Sequence, residues 1–137
     1  MWWIFALLSA FFAALTAIFA KVGIKGVDTD LATAIRTVVI LIIAWGIAFI
    51  RGGAFTIHSL TKQNILFLCL SGVATGLSWI FYFKALQMGK VSQVAPVDKM
   101  SVAIAIVLSA VFLGETLDVK TIIGALLIIG GTIVLIF

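Results

Sequence analysis

The sequence predicts an all-α integral membrane protein with five transmembrane helices, on three observations. Of its 137 residues, 64% are apolar and only 10% charged, against roughly 45–50% and about 25% in an ordinary soluble domain. Five stretches approach the ~20 residues that a helix needs to cross hydrocarbon. The segments between them are short, so consecutive helices are expected to be antiparallel neighbours in one bundle. Nine basic and five acidic residues with one His cannot cover a core of this size in water, so the solvent is lipid. One Pro, twelve Gly and eleven Phe exclude a disordered chain, and the length allows a single small domain over 1–137.

The first span is 2–20, which carries no charge at all. Its start lacks Lys and Arg and its apolar run is longer than that of a cleaved leader, so it is expected to persist as the first helix. The second span, 31–50, is apolar apart from Arg36, and Asp28 or Asp30 is placed to cap it. The third span is 63–83, with Ser59 or Thr61 as its cap. The fourth, 91–113, encloses Asp98 and Lys99, and the fifth is 121–137, with Thr116 or Asp118 before it.

Charge placement excludes several classes of function. The net charge of +4 is scattered singly, without the basic stripe that nucleic acid demands. Cys69 is the only cysteine, and His58 the only histidine, lies in a loop. Neither a metal site nor a nucleophilic triad can be assembled from them, so no catalysis, metal or cofactor is expected.

An odd number of spans puts the two ends of 1–137 on opposite sides of the membrane. Arg51, Lys62 and Lys120 then lie on one side, and Lys21, Lys25, Lys84 and Lys90 on the other. Three cations against four give the positive-inside rule almost nothing to act on. Dual topology is the expectation: the chain inserts both ways and pairs antiparallel with itself.

Residues 84–137 carry a recognisable pattern. It comprises Phe83-Lys84-Ala85-Leu86, Gly89-Lys90-Val91-Ser92, Ala95-Pro96, Phe112-Leu113-Gly114-Glu115, Gly124 and Gly130-Gly131. This pattern resembles an EamA domain, the repeat unit of the drug/metabolite transporter superfamily. The first half agrees more loosely, through Lys21 at the end of helix 1 and Ala34-Ile35-Arg36 early in helix 2. Full-length relatives have ten helices in two inverted repeats. This chain has one, and it is similar to the five-helix bacterial and archaeal branch, which also carries the Pro-Val-Asp-Lys run found here at 96–99. The resemblance implies a prokaryotic inner-membrane, multi-pass protein that exports or exchanges small metabolites or drugs by alternating access. An antiparallel homodimer would recreate the inverted-repeat geometry.

Asp98 is the only carboxylate inside a span, and a charge there costs about 2.5–3.5 kcal/mol on insertion scales. It could bind a proton or a cationic substrate. If Pro96 instead opened the helix, Asp98 would sit in a first turn near the interface, favoured by the helix dipole. Lys99 points ~100° away from it on a helix of ~3.6 residues per turn, so a cross-helix partner such as Arg36 is the expected arrangement. Arg36 could equally snorkel to the interface, as Lys21 and Lys84 are expected to do.

On helix 3, Ser71, Thr75, Ser78 and Tyr82 follow helical spacing and share one stripe, flanked by Trp79. Such a stripe can line a solvated path or bond across helices, while Trp and Tyr faces can hold lipophilic cations. Gly72 and Gly76 are expected to let two backbones approach. Gly124 and Gly131, with Gly130 beside them, are expected to form part of the dimer contact. Trp2, Trp3 and Trp45 read as belt or packing residues.

The expected partners are therefore a second copy, the lipid bilayer and a small-molecule substrate. The expected function is transport by alternating access at a dimer interface, with proton coupling through Asp98 as its sharper form. A dual-topology channel, a lipid-carrier flippase or a non-transporting assembly module are the alternatives.

Overall fold

A computed structural model describes all residues, 1–137. The chain forms six α-helices and no strand: α1 (Trp2–Gly23), α2 (Thr29–Ile50), α3 (Lys62–Met88), α4 (Val91–Lys99), α5 (Ser101–Phe112) and α6 (Val119–Ile136). A 3₁₀ segment, Gly53–Ser59, precedes α3. Helices α4 and α5 are two pieces of one span, so five segments are long and apolar enough to cross a membrane.

The caps resolve the alternatives that the sequence leaves open. Asp28 stands in extended conformation before α2, and its carboxylate accepts from the amides of Asp30 and Leu31, each at 3.0 Å. The Thr61 hydroxyl accepts from the Asn64 amide at 3.2 Å. Asp118 accepts from the Thr121 amide at 2.9 Å and from the Thr121 hydroxyl. Each takes up donors that a helix start leaves unpaired. Gly52 (φ 77°) and Gly114 (φ 68°) adopt the left-handed conformation that ends α2 and α5, which a side chain would disfavour.

Four of the helices run past the apolar spans that predict them, α6 by starting at Val119 behind the Asp118 cap. Hydropathy marks where hydrocarbon ends, but hydrogen bonding carries α1 to Gly23 and α3 to Met88, and the Asp28 cap lets α2 begin at Thr29.

The chain folds as two compact units, 20–87 and 1–19 with 88–137. In the first, the α1–α2 turn is laced to the end of α3. Lys21 Nζ donates to the Leu86 carbonyl, and Gln87 Nε2 donates to the Val27 carbonyl at 3.0 Å. Leu86 is among the last residues of α3, whose carbonyls lack helical donors and attract a cation. Ile24, Phe83, Leu86, Thr29 and Thr33 are buried in this unit.

In the second unit α6 packs on both α4 and α5. The contact face of α6 repeats at helical spacing through Thr121, Ala125, Ile129, Thr132 and Ile136, all at least half-buried. Most remaining apolar side chains face outward. In lipid this is no penalty, because the hydrophobic effect ceases to drive helices together and close packing and hydrogen bonds take its place.

Candidate functional site

The fourth span is broken inside the membrane. Pro96 lies within α4, not at its start, and the helix ends at Lys99, with Met100 as the joint to α5. The Met100 amide bonds the Val97 carbonyl at 3.0 Å, which leaves the Pro96 carbonyl without its usual helical donor. The Thr132 hydroxyl, on a residue only 4% exposed, lies 3.2 Å from that carbonyl and 2.8 Å from the carbonyl of Ile128. Broken helices persist at membrane depth only where such groups are re-satisfied.

Asp98 and Lys99 sit at this joint, about 10 Å from the start of α4 at ~1.5 Å per residue. One expectation is corrected here and one alternative is excluded. Helix 4 starts at Val91, as its expected span does, and not at Pro96, so Asp98 is not in a first turn. Nor does Asp98 look to another helix for its partner, because Lys99 Nζ lies 3.5 Å from Asp98 Oδ2. The ~100° separation of adjacent residues is overcome because Lys99 is the last residue of α4 and its flexible stem can swing back. Asp98 is half-buried and Lys99 exposed.

Arg36 lies about 10 Å into α2. Its guanidinium carbon is 4.3 Å from the centroid of the Trp79 ring and 4.9 Å from that of Phe83. Trp79 and Phe83 are one helical turn apart on α3 and present their rings together. Phe83 is 1% exposed, which fixes the platform, and the Tyr82 ring packs beside it at 6.1 Å. One face of Trp79 thus already holds a cation, supplied by the chain itself.

The other stripe residues are placed differently. Ser71, Thr75 and Ser78 are exposed along α3 and Tyr82 is half-buried, and the Thr75 hydroxyl bonds back to the Ser71 carbonyl at 2.8 Å. A side chain added at Gly72 or Gly76 would meet nothing within 4 Å, and the same holds at Gly124, Gly130 and Gly131. No helix of the same chain closes on these glycines. Gly124 and Gly131 share a face of α6 about 110° from the one that packs on α4 and α5, and Gly130 faces away from both.

Two features escape sequence reasoning. One is the Phe83 platform, whose signal was its spacing of four from Trp79. The other is a groove of about 930 Å³ near the opposite ends of α2 and α3, walled by Ala44, Trp45, Ala48, Ala54, Ile57 and Leu68. It depends on the 3₁₀ segment, which hydropathy reads only as a loop.

Five apolar spans, a helix broken beside an acid and an in-span arginine on aromatic rings describe a membrane protein built around polar groups at depth. Residues 1–137 match the EamA-like transporter family. The chain belongs to that family. It is 45% identical over 134 residues to an uncharacterized transporter encoded in the cobO 3′ region of Sinorhizobium sp., covering 98% of this chain and 95% of that one. It is also 39% identical over 77 residues, 56% of each chain, to an uncharacterized protein of Methanocaldococcus jannaschii. No solved structure matches the chain. This EamA-like protein is a multi-pass integral membrane protein of a transporter family.

Proposed function

We propose that this EamA-like protein exports or exchanges a small metabolite or lipophilic drug by alternating access in an antiparallel homodimer. The observation that carries the reading is the family match along residues 1–137. Alternating access requires two bundles that move against each other around a midplane site, and a single repeat supplies one. The loop cations, three against four, favour neither orientation strongly. The open faces at Gly124 and Gly131 would admit the backbone of a second copy.

In this reading Asp98 carries the coupling proton, and Lys99 is its ion-pair partner. Protonation of Asp98 releases the ion pair at the joint between α4 and α5, so proton binding acts at the break in the span. Ser71, Thr75, Ser78 and Tyr82 line the solvated path, and Trp79 and Arg36 contact the substrate.

The test is uptake into proteoliposomes under an imposed pH gradient. Proton-driven, saturable flux is expected, and D98N should abolish its pH dependence while leaving exchange at zero gradient. Non-saturable conductance would replace the transporter with a channel. Compartment-sensitive reporters at each terminus should report both orientations, and one orientation for every copy would remove the antiparallel dimer.

A further inference from the structure

We infer that Arg36 is an oxyanion-recognition site and that the transported solute carries a carboxylate or phosphate group. The inference deepens the transport reading and rests on it for the word transported.

Arg36 is placed where a cation needs a counter-charge, because a guanidinium inside hydrocarbon is stable only when paired or hydrated. Its unit, residues 20–87, contains two carboxylates, Asp28 and Asp30. Asp28 is committed to capping α2, and Asp30 is exposed in the first turn of the same helix. From Leu31 to Val97 the sequence has no acid at all. The one ion pair in the chain joins Asp98 to Lys99. Around Arg36 stand the rings of Trp79 and Phe83 and the phenol of Tyr82, which interacts with it electrostatically, and none of these is a carboxylate.

The guanidinium carbon stands over both rings. Cation–π contact holds the group through its flat face, so the in-plane N–H donors stay available. That edge is a planar fork suited to bidentate binding of carboxylate or phosphate, and the low dielectric strengthens the bond. The side chain is half-buried, so the edge is reachable. The buried Phe83 and the Trp79 ring stop the fork from turning and also offer an apolar wall to the body of the ligand.

The chain's single cationic fork at membrane depth therefore selects for negative charge on the solute. A lipophilic cation would meet the guanidinium first and be repelled. Snorkelling toward headgroups is the competing use of such an arginine, and a lipid phosphate is the competing ligand.

The test uses a chain with Trp2, Trp3 and Trp45 replaced by Phe, so that Trp79 alone fluoresces, in nanodiscs of zwitterionic lipid. Benzoate, phenyl phosphate, benzamide and benzylammonium are titrated in turn. Benzoate or phenyl phosphate should change Trp79 emission saturably, and benzamide and benzylammonium should require at least tenfold higher concentration. R36Q should weaken the anion response at least tenfold, and R36K, which keeps charge without the fork, by a smaller factor. Equal response to benzylammonium would overturn the inference, and this comparison needs no change at Arg36.

A response to added phosphatidylglycerol with none to either soluble anion would also overturn it, by giving Arg36 to lipid. Flux separates the two claims. If benzoate binds through Arg36 but proteoliposomes carry no anion flux, the transport reading fails and the site stands. If a cationic dye is carried and R36Q leaves that flux unchanged, transport stands and the oxyanion inference fails.

Discussion

Replacing Thr132 by Val removes a hydroxyl from the joint in the fourth span and keeps the shape of the side chain. The hydroxyl has one proton and two carbonyls within reach, Ile128 at 2.8 Å and Pro96 at 3.2 Å. The Ile128 carbonyl faces its own helical amide, so it loses little. The Pro96 carbonyl has no amide, because that of Met100 is turned to Val97. Side-chain hydrogen bonds within membranes average about 0.6 kcal/mol and reach about 1.7, and an acceptor left buried and unpaired costs about 1–3 kcal/mol. T132V should therefore destabilise the fold by about 1 kcal/mol, a roughly fivefold loss in the folding equilibrium.

The control is T33V. Thr33 is similarly buried at 6% exposure, but its hydroxyl bonds only the Thr29 carbonyl one turn back in its own helix. Its loss should cost under about 0.5 kcal/mol, since a back-bonded threonine adds little to a helix. Both variants are measured by reversible SDS unfolding in mixed micelles, followed by tryptophan fluorescence. T132S, which keeps the hydroxyl, should recover most of the difference. If T132V is no worse than T33V, the Pro96 carbonyl does not depend on Thr132 and the account of the joint is wrong.

The other predictions concern the caps and the open face of α6. D28A deletes an acceptor that serves two amides and should destabilise by about 1 kcal/mol in the same unfolding assay; an unchanged midpoint would contradict the cap. The Thr121 hydroxyl and then the Thr121 amide hold the Asp118 carboxyl below its ordinary value. Because the folded-state value is the lower one, this stabilisation is complete above the unfolded value near 4 and is lost as pH falls through the folded value. T121V should raise the Asp118 midpoint in a carboxyl-carbon NMR titration, and an unmoved midpoint would refute the assignment. G131L meets open space in one copy, so it should leave helix content and unfolding of the monomer within about 0.5 kcal/mol while reducing cross-linked dimer. A destabilised monomer with undiminished dimer would place that face inside the chain.

Spans, caps and the mid-membrane charges depend on local composition, so Asp28, Thr61 and Asp118 could be nominated from sequence and only the choice between neighbours awaited the fold. The pairing of Asp98 with Lys99 could not be read from helical angles, because it depends on the reach of the long, flexible Lys99 side chain. Arg36 and Trp79 stood as separate candidates, more than forty positions apart in sequence. Their union needs α2 and α3 to be side by side in a particular rotation.

By itself the sequence determined that this protein lives in lipid, that it has five spans and that its loop charges barely prefer an orientation. These properties follow from composition summed over twenty-residue windows, where hydrocarbon thickness acts as a ruler. The tertiary structure decided where polarity inside the membrane is used. It set the Pro96 carbonyl against Thr132, Asp98 against Lys99 and Arg36 against two rings. The physical reason is that in a bilayer apolar faces are nearly interchangeable. The few groups that must be satisfied fix helix rotation, and their partners come from other helices or from breaks in the same one.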